Sequence, residues 1–248
     1  MQKYLKHQEI INKSKTINEH YELDDELFDD VVDSLLHSEL DTEEVILQGF
    51  QRLLSEVDSE IERMETFADM KPSCFKGCAF CCYFPIIISK MEAKIMFRSI
   101  EKFPEERRKE IYAHWESYYK EYEEKLNHAM SLDHTDEGTK FEYKKLNLPC
   151  PMLDPKTQAC MAYEIRPIPC RTYLNYSDPE VCAKNHLPKE PFSYEFLYNY
   201  YFSSLNELLQ ALYENGEELN VDYPSDAWSY HFLPGWIEKW RKETWNEL

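Results

Sequence analysis

Glycine is scarce in this chain, at five residues in 248, and none forms a glycine-rich run. A loop that cradles phosphate or a dinucleotide needs closely spaced glycines, so the sequence offers no such cofactor site. Long apolar runs are missing too. The longest aliphatic stretch, Ile86 to Ile88, falls far short of the roughly 20 residues that cross a bilayer. The opening stretch, MQKYLKHQEIINKSKTINEH, has neither an apolar core nor a small-residue cleavage pattern, so a soluble, cytoplasmic protein is expected. Positive charge is in deficit, with 28 Lys and Arg against 47 Asp and Glu and a net charge of -19. Such a field repels phosphate backbones and anionic lipid, so neither nucleic acid nor a membrane is expected as a partner.

What the chain has in abundance is helical patterning. With 43% hydrophobic and 15% aromatic residues it has the material for a core. Residues 21–44 hold eleven acidic side chains and no Lys or Arg, with Leu23, Leu27, Val31 and Leu35 spaced four apart beside Phe28, Val32 and Leu36. That spacing predicts an amphipathic helix with an acidic outer face, either simply solvated or docking a basic protein. Asp41 and Glu44 resemble a capping box opening a helix to about Phe67, with Phe50, Leu54, Val57, Ile61 and Met64 inward. Ser89 and Glu92 look like a second cap, for a helix to about Phe103. Pro104 is well placed to start a third, whose stripe is Ile111, Trp115, Tyr118, Tyr122 and Leu126. Residues 127–148 read as a loop, and 149–163 as two short strands around a turn at Asp154–Gln158. A helix returns over Ser193–Tyr213, and a tail of short helices carries Trp228, Phe232, Trp236 and Trp240, broken at Pro234–Gly235. The expected fold is mainly α, with a small β-hairpin and two irregular cysteine-rich segments. The expected divisions are a helical segment over 1–70, a cysteine-bearing domain with a helical insert over 71–190, and a helical segment over 191–248.

All eight cysteines fall in the two irregular segments: Cys74, Cys78, Cys81 and Cys82, then Cys150, Cys160, Cys170 and Cys182. Structural thiols are ordinarily scattered through a core, so this segregation argues that they converge on something. In a reducing compartment that points to metal or redox chemistry before disulfides. Zinc takes four tetrahedral ligands, but adjacent Cys81 and Cys82 suit one small ion badly. An iron–sulfur cluster, larger than an ion, lets neighbouring thiolates reach different irons, and Cys150-Pro151 and Pro169-Cys170 fit its habit of cysteine beside proline. The spacing of Cys74, Cys78 and Cys81 also matches radical S-adenosylmethionine enzymes, although no alternating strand–helix pattern supports a barrel. A nucleophilic cysteine would need a base, and His114, His128 and His134 are available without a defined pairing. His186, three residues beyond Cys182, is a further candidate ligand or a solvated side chain.

CFKGCAFCC at 74–82, followed by CPMLDPKTQACMAYEIRPIPCRTY, resembles the YkgJ-like, or CxxCxxCC, cysteine-cluster family. Cys150-Pro151, Cys160, Tyr163, Arg166-Pro167, Cys170-Arg171 and Cys182 follow the family order. The resemblance covers about 74–182. It implies a zinc- or iron-chelating domain related to flagellin lysine N-methylases. Arg166 and Arg171 are expected to offset thiolate charge or donate to sulfur, and Tyr163 and Tyr173 to bond a thiolate or small ligand; the alternative is that they pin the segment by ordinary contacts. The expected function is therefore thiolate metal binding by all eight cysteines, as a 4Fe–4S cluster or zinc. Two other classes are a methyltransferase or radical enzyme using S-adenosylmethionine, and a zinc-stabilised interaction module with the acidic face as its dock.

Overall fold

The computed structural model describes residues 4–244, and helices dominate it. In chain order they begin with α1 (His7–His20), α2 (Glu26–Leu36) and α3 (Thr42–Phe67), followed by β1 (Ile87–Ser89), α4 (Lys90–Glu101), α5 (Glu105–Glu121), α6 (Glu123–Met130) and α7 (Thr139–Lys145). Then come α8 (Pro169–Thr172), β2 (Tyr173–Leu174), α9 (Glu180–Lys184), β3 (Phe192–Ser193), α10 (Leu197–Glu214), β4 (Tyr230–Phe232) and α11 (Leu233–Thr244). The chain divides into two units, one formed by the described residues up to Lys76 with Ile165–Asn220, the other by Gly77–Glu164 with the described residues from Val221. No helix among the described residues is long and apolar enough to cross a membrane.

The first unit is built on α2, α3 and α10. Asp41 caps α3 by accepting the Glu44 amide at 2.8 Å, as the capping pattern predicts. Phe50, Leu54, Val57, Ile61 and Met64 are buried along one face of α3, and Leu205, Leu208 and Leu212 along α10. Gly49 is required where these helices approach: a Cβ there would stand 2.2 Å from the Leu208 side chain. The acidic helix is shorter than its composition suggests. Its stripe Phe28, Val31, Val32 and Leu35 is buried, but α2 ends at Leu36. There Ser38 Oγ donates to the Leu35 carbonyl at 2.7 Å and the His37 ring contacts the Asp33 carbonyl at 2.8 Å, so side chains replace the next backbone turn. Helix α1, with Ile10 and Ile17 buried, lies in the N-terminal helical segment but had no legible pattern of its own.

The second unit joins distant parts of the sequence. Strands β1 and β4 pair antiparallel with Ile87 opposite Phe232 and Ser89 opposite Tyr230. Trp236 Nε1 donates to the Ile88 carbonyl at 3.0 Å. Ser89 and Glu92 form the full reciprocal capping box at the start of α4. Lys90 and Lys94 each reach the buried Asp226 at 2.7 Å, tying α4 to the segment before β4.

Four expectations change here. The Pro104 helix breaks at Tyr122 into α5 and α6, leaving Tyr122 only partly buried at the edge of a cluster of Tyr118, Leu126, Ala129, Tyr143, Leu148 and Phe232. The supposed loop 127–148 contains the last residues of α6 and all of α7, which buries Tyr143 and Lys144. The hairpin at 149–163 reduces to one bridge between Leu153 and Cys160, because Pro149 and Pro151 supply no amide for a longer ladder. In the tail, Pro234 sits in the first turn of α11, where its missing N–H costs nothing, and Trp228 is 78% exposed whereas Phe232 and Trp236 are buried.

Candidate metal centre

Five cysteines belong to the second unit: Cys78, Cys81, Cys82, Cys150 and Cys160. Gly77, at φ +99, turns the chain into the first segment, a conformation side-chain-bearing residues rarely adopt. A short 3₁₀ turn at Phe80–Tyr83 follows, held by the Cys82 amide to Ala79 O at 3.0 Å and Phe84 to Cys81 O at 2.9 Å. It presents Cys81 and Cys82 on consecutive positions. The Cys82 thiol bonds Cys81, which is the main reason the Cys81 thiol lies below its ordinary value; the Lys144 ammonium adds to this, while burial and Cys78 oppose it.

The second segment is fastened to the first by backbone. The Cys150 amide donates to the Cys82 carbonyl at 2.6 Å across 68 positions of sequence. Prolines on both sides of Cys150 have carbonyls but no amides, and the aromatic stripe of α5 takes up both. Tyr118 Oη donates to Pro149 O at 2.6 Å, and Trp115 Nε1 to Pro151 O at 3.0 Å. These aromatics are core residues, as their spacing predicted, but their polar ends also fix the loop that carries Cys150. The Met152 amide lies 3.5 Å from Cys150 Sγ. Beyond it, Asp154 N to Ala159 O at 2.9 Å and Met161 N to Met152 O at 2.7 Å fold the chain back to bring Cys160 near.

Burial, with the charges of Cys160 and Cys81 beside it, pushes the Cys150 thiol up to about 12. Thiolates that repel one another in this way need a cation among them to ionise together. Arg107 stands close to Cys160, its guanidinium bonding Met161 O at 2.5 Å and Glu164 Oε2 at 2.8 Å and stacking 3.9 Å from the Phe103 ring centroid. A cleft of about 440 Å³ opens beside Cys160, lined among others by Arg107, Glu110, Asp154 and Met161.

Cys74, Cys170 and Cys182 belong to the first unit. Cys74 Sγ accepts the Asn175 amide at 3.3 Å, Cys170 lies in α8 and Cys182 in α9. Arg171 is 4% exposed; its Nε donates to Arg166 O at 2.9 Å and its Nη1 bonds Asp58 of α3, with Arg166 Nη2 3.7 Å from the same carboxylate. Burial lowers the Arg171 guanidinium, against the pull of Asp58. Pinning the segment to α3 is thus part of what Arg171 does. Tyr173 opens β2 opposite Ser193, and Tyr163, in the second unit, begins a 3₁₀ turn. Of the histidines, His114 of α5 is held below its ordinary value by burial beside Pro151, and His134 packs edge-on to Phe232. His186 is exposed beyond α9.

Among the described residues, no group of three or more His, Cys, Asp and Glu side chains already stands at metal-holding separations. The donor chemistry nevertheless fits a thiophilic ion. All eight cysteines are half-buried, and within the second unit five of them lie on two segments joined by backbone, with mutual thiol effects linking Cys78, Cys81, Cys82, Cys150 and Cys160. Lys144, in the stretch that the sequence read as a loop, is a site residue that sequence reasoning missed.

Residues 73–187, a little under half of the chain, match the family model CxxCxxCC, described as a "putative zinc- or iron-chelating domain". No curated protein and no solved structure matches the chain. Over residues 73–187 the chain is therefore similar to the CxxCxxCC cysteine-cluster domain.

Proposed function

We propose that this chain binds zinc or iron through cysteine thiolates, with Cys78, Cys81, Cys82, Cys150 and Cys160 as ligands in the second unit. The bond from the Cys150 amide to the Cys82 carbonyl carries this reading, because it joins two cysteine segments far apart in sequence into one local structure. We extend the ligand role to Cys74, Cys170 and Cys182, which complete the family pattern, with Arg171 lending positive charge beside Cys170. The vicinal Cys81 and Cys82 favour an iron–sulfur cluster of the 4Fe–4S type, since adjacent thiolates reach two irons more readily than one small ion. Bound zinc supplies a structural cross-link; a cluster supplies one-electron redox capacity.

The chain's own part is to gather and shield the thiols. The aromatic groups on Pro149 and Pro151 hold the Cys150 loop, and the 3₁₀ turn fixes the order of Cys81 and Cys82. Thiolates on separate segments that share an ion also couple metal binding to local folding. Alkylation of the reduced chain, with and without zinc or with iron and sulfide, followed by peptide mass spectrometry, tests this. Protection of Cys78, Cys81, Cys82, Cys150 and Cys160 on loading is the expected result. Equal labelling of every cysteine with and without metal would sink the reading.

A further inference from the structure

Lysine is among the side chains least often buried, because its ammonium loses hydration that few interiors replace. Lys144 is nonetheless 9% exposed, in the last turn of α7. Its Nζ donates to the Phe80 carbonyl at 2.8 Å and stands 4.3 Å from the Phe84 ring centroid and 5.5 Å from that of Tyr83. A carbonyl and ring faces are both surroundings that favour a cation. All three belong to the short stretch around the 3₁₀ turn that carries Cys81 and Cys82. The ammonium thus grips that turn from both of its ends, through the peptide before Cys81 and the rings after Cys82.

We propose that Lys144 is a positioning residue for the vicinal thiols: it clamps the Phe80–Tyr83 turn onto α7 and supplies the fixed positive charge beside which Cys81 and Cys82 hold a metal. This rests on the thiolate reading above and assigns Lys144 no place among the ligands. The charge matters because every thiolate brought to an ion adds a negative charge to a protein already at -19. A buried cation near the sulfurs offsets part of that without competing for the ion.

The test compares the full-length chain with K144M, K144R and F84L, using zinc competition against a chromophoric chelator and the thiolate-to-cobalt charge-transfer spectrum after cobalt(II) loading. K144M keeps the aliphatic stem and removes the charge. Its zinc affinity is expected to fall by about 10- to 100-fold, as for other outer-shell partners, with a shifted cobalt band. K144R is expected to restore most of the affinity. F84L, which removes one ring of the cage, should fall between, and it keeps the idea testable if K144M does not fold. Wild-type affinity and spectrum in K144M overturn the inference, as does an unfolded K144M paired with a wild-type F84L. If the wild-type chain takes up neither zinc nor cobalt, the thiolate reading fails first and this inference falls with it.

Discussion

Replacing Tyr118 with Phe removes one oxygen and leaves the ring packing of α5 in place. Tyr118 is 2% exposed, and its hydroxyl donates to Pro149 O at 2.6 Å. Burial holds that hydroxyl far above its ordinary titration range, so it remains a neutral donor at any working pH. In Tyr118→Phe the Pro149 carbonyl loses this partner beside the buried cluster. A net hydrogen bond contributes about 0.5–1.5 kcal/mol, and an unsatisfied buried acceptor costs about 1–3 kcal/mol. A loss of about 1–2 kcal/mol is expected, or roughly 2–8 °C in melting temperature for a chain of this size. Calorimetry on the metal-free protein reads it. Tyr119 supplies the control: its hydroxyl, on the same helix, donates to Pro234 O at 2.5 Å and not to a carbonyl flanking Cys150. Tyr119→Phe should cost similar stability and leave metal affinity alone, whereas Tyr118→Phe should weaken both. A Tyr118→Phe variant that melts within a degree of wild type would refute the claim that α5 fastens the Cys150 loop.

Further outcomes are expected. Cys78→Ser and Cys170→Ser should each lose bound metal and solubility together, and a variant with full metal content and stability removes that residue from the ligand set. Asp58→Asn strands the buried Arg171 guanidinium. Breaking a buried pair costs about 3–5 kcal/mol, and the 44% exposure of Asp58 brings this to about 1–3 kcal/mol, readable by urea denaturation. Burial raises the Asp226 carboxyl, but Lys90 and Lys94 bring it below its ordinary 3.8, so its stabilising effect is present above about pH 4 and lost as pH falls through the lowered value. Acid titration followed by tryptophan fluorescence should therefore show wild type losing stability below pH 4 more steeply than Asp226→Asn. The same slope in both would remove Asp226 from the account.

How much of this was legible follows from where each signal sits in the chain. The caps of α3 and α4 are local, and Asp41, Ser89 and Glu92 announce them within four residues. The α5 stripe was equally readable as core, but nothing in its spacing says that Trp115 and Tyr118 would serve the carbonyls flanking Cys150; that depends on a fold-back of more than thirty residues. Pairing of Ile87 with Phe232 has no local trace, since each strand is three residues long and the partners lie far apart in sequence. Helix α7 was missed for a related reason: seven residues, TKFEYKK, show too little periodicity, and its burial of Tyr143 and Lys144 comes from tertiary packing. The cysteines were the opposite case. Their spacing and order carried the family resemblance by themselves, while their distribution between the two units, five and three, required the structure.

The central claim is that thiolates of this chain hold zinc or iron. Metal and acid-labile sulfide analysis of wild-type protein purified without oxygen, with a visible spectrum, tests it most directly. The account predicts stoichiometric metal retained through gel filtration: iron with matching sulfide and a broad visible absorption for the proposed cluster, or zinc in a colourless sample for the structural form. Protein that carries neither metal, and takes up neither after reduction and reconstitution, contradicts it.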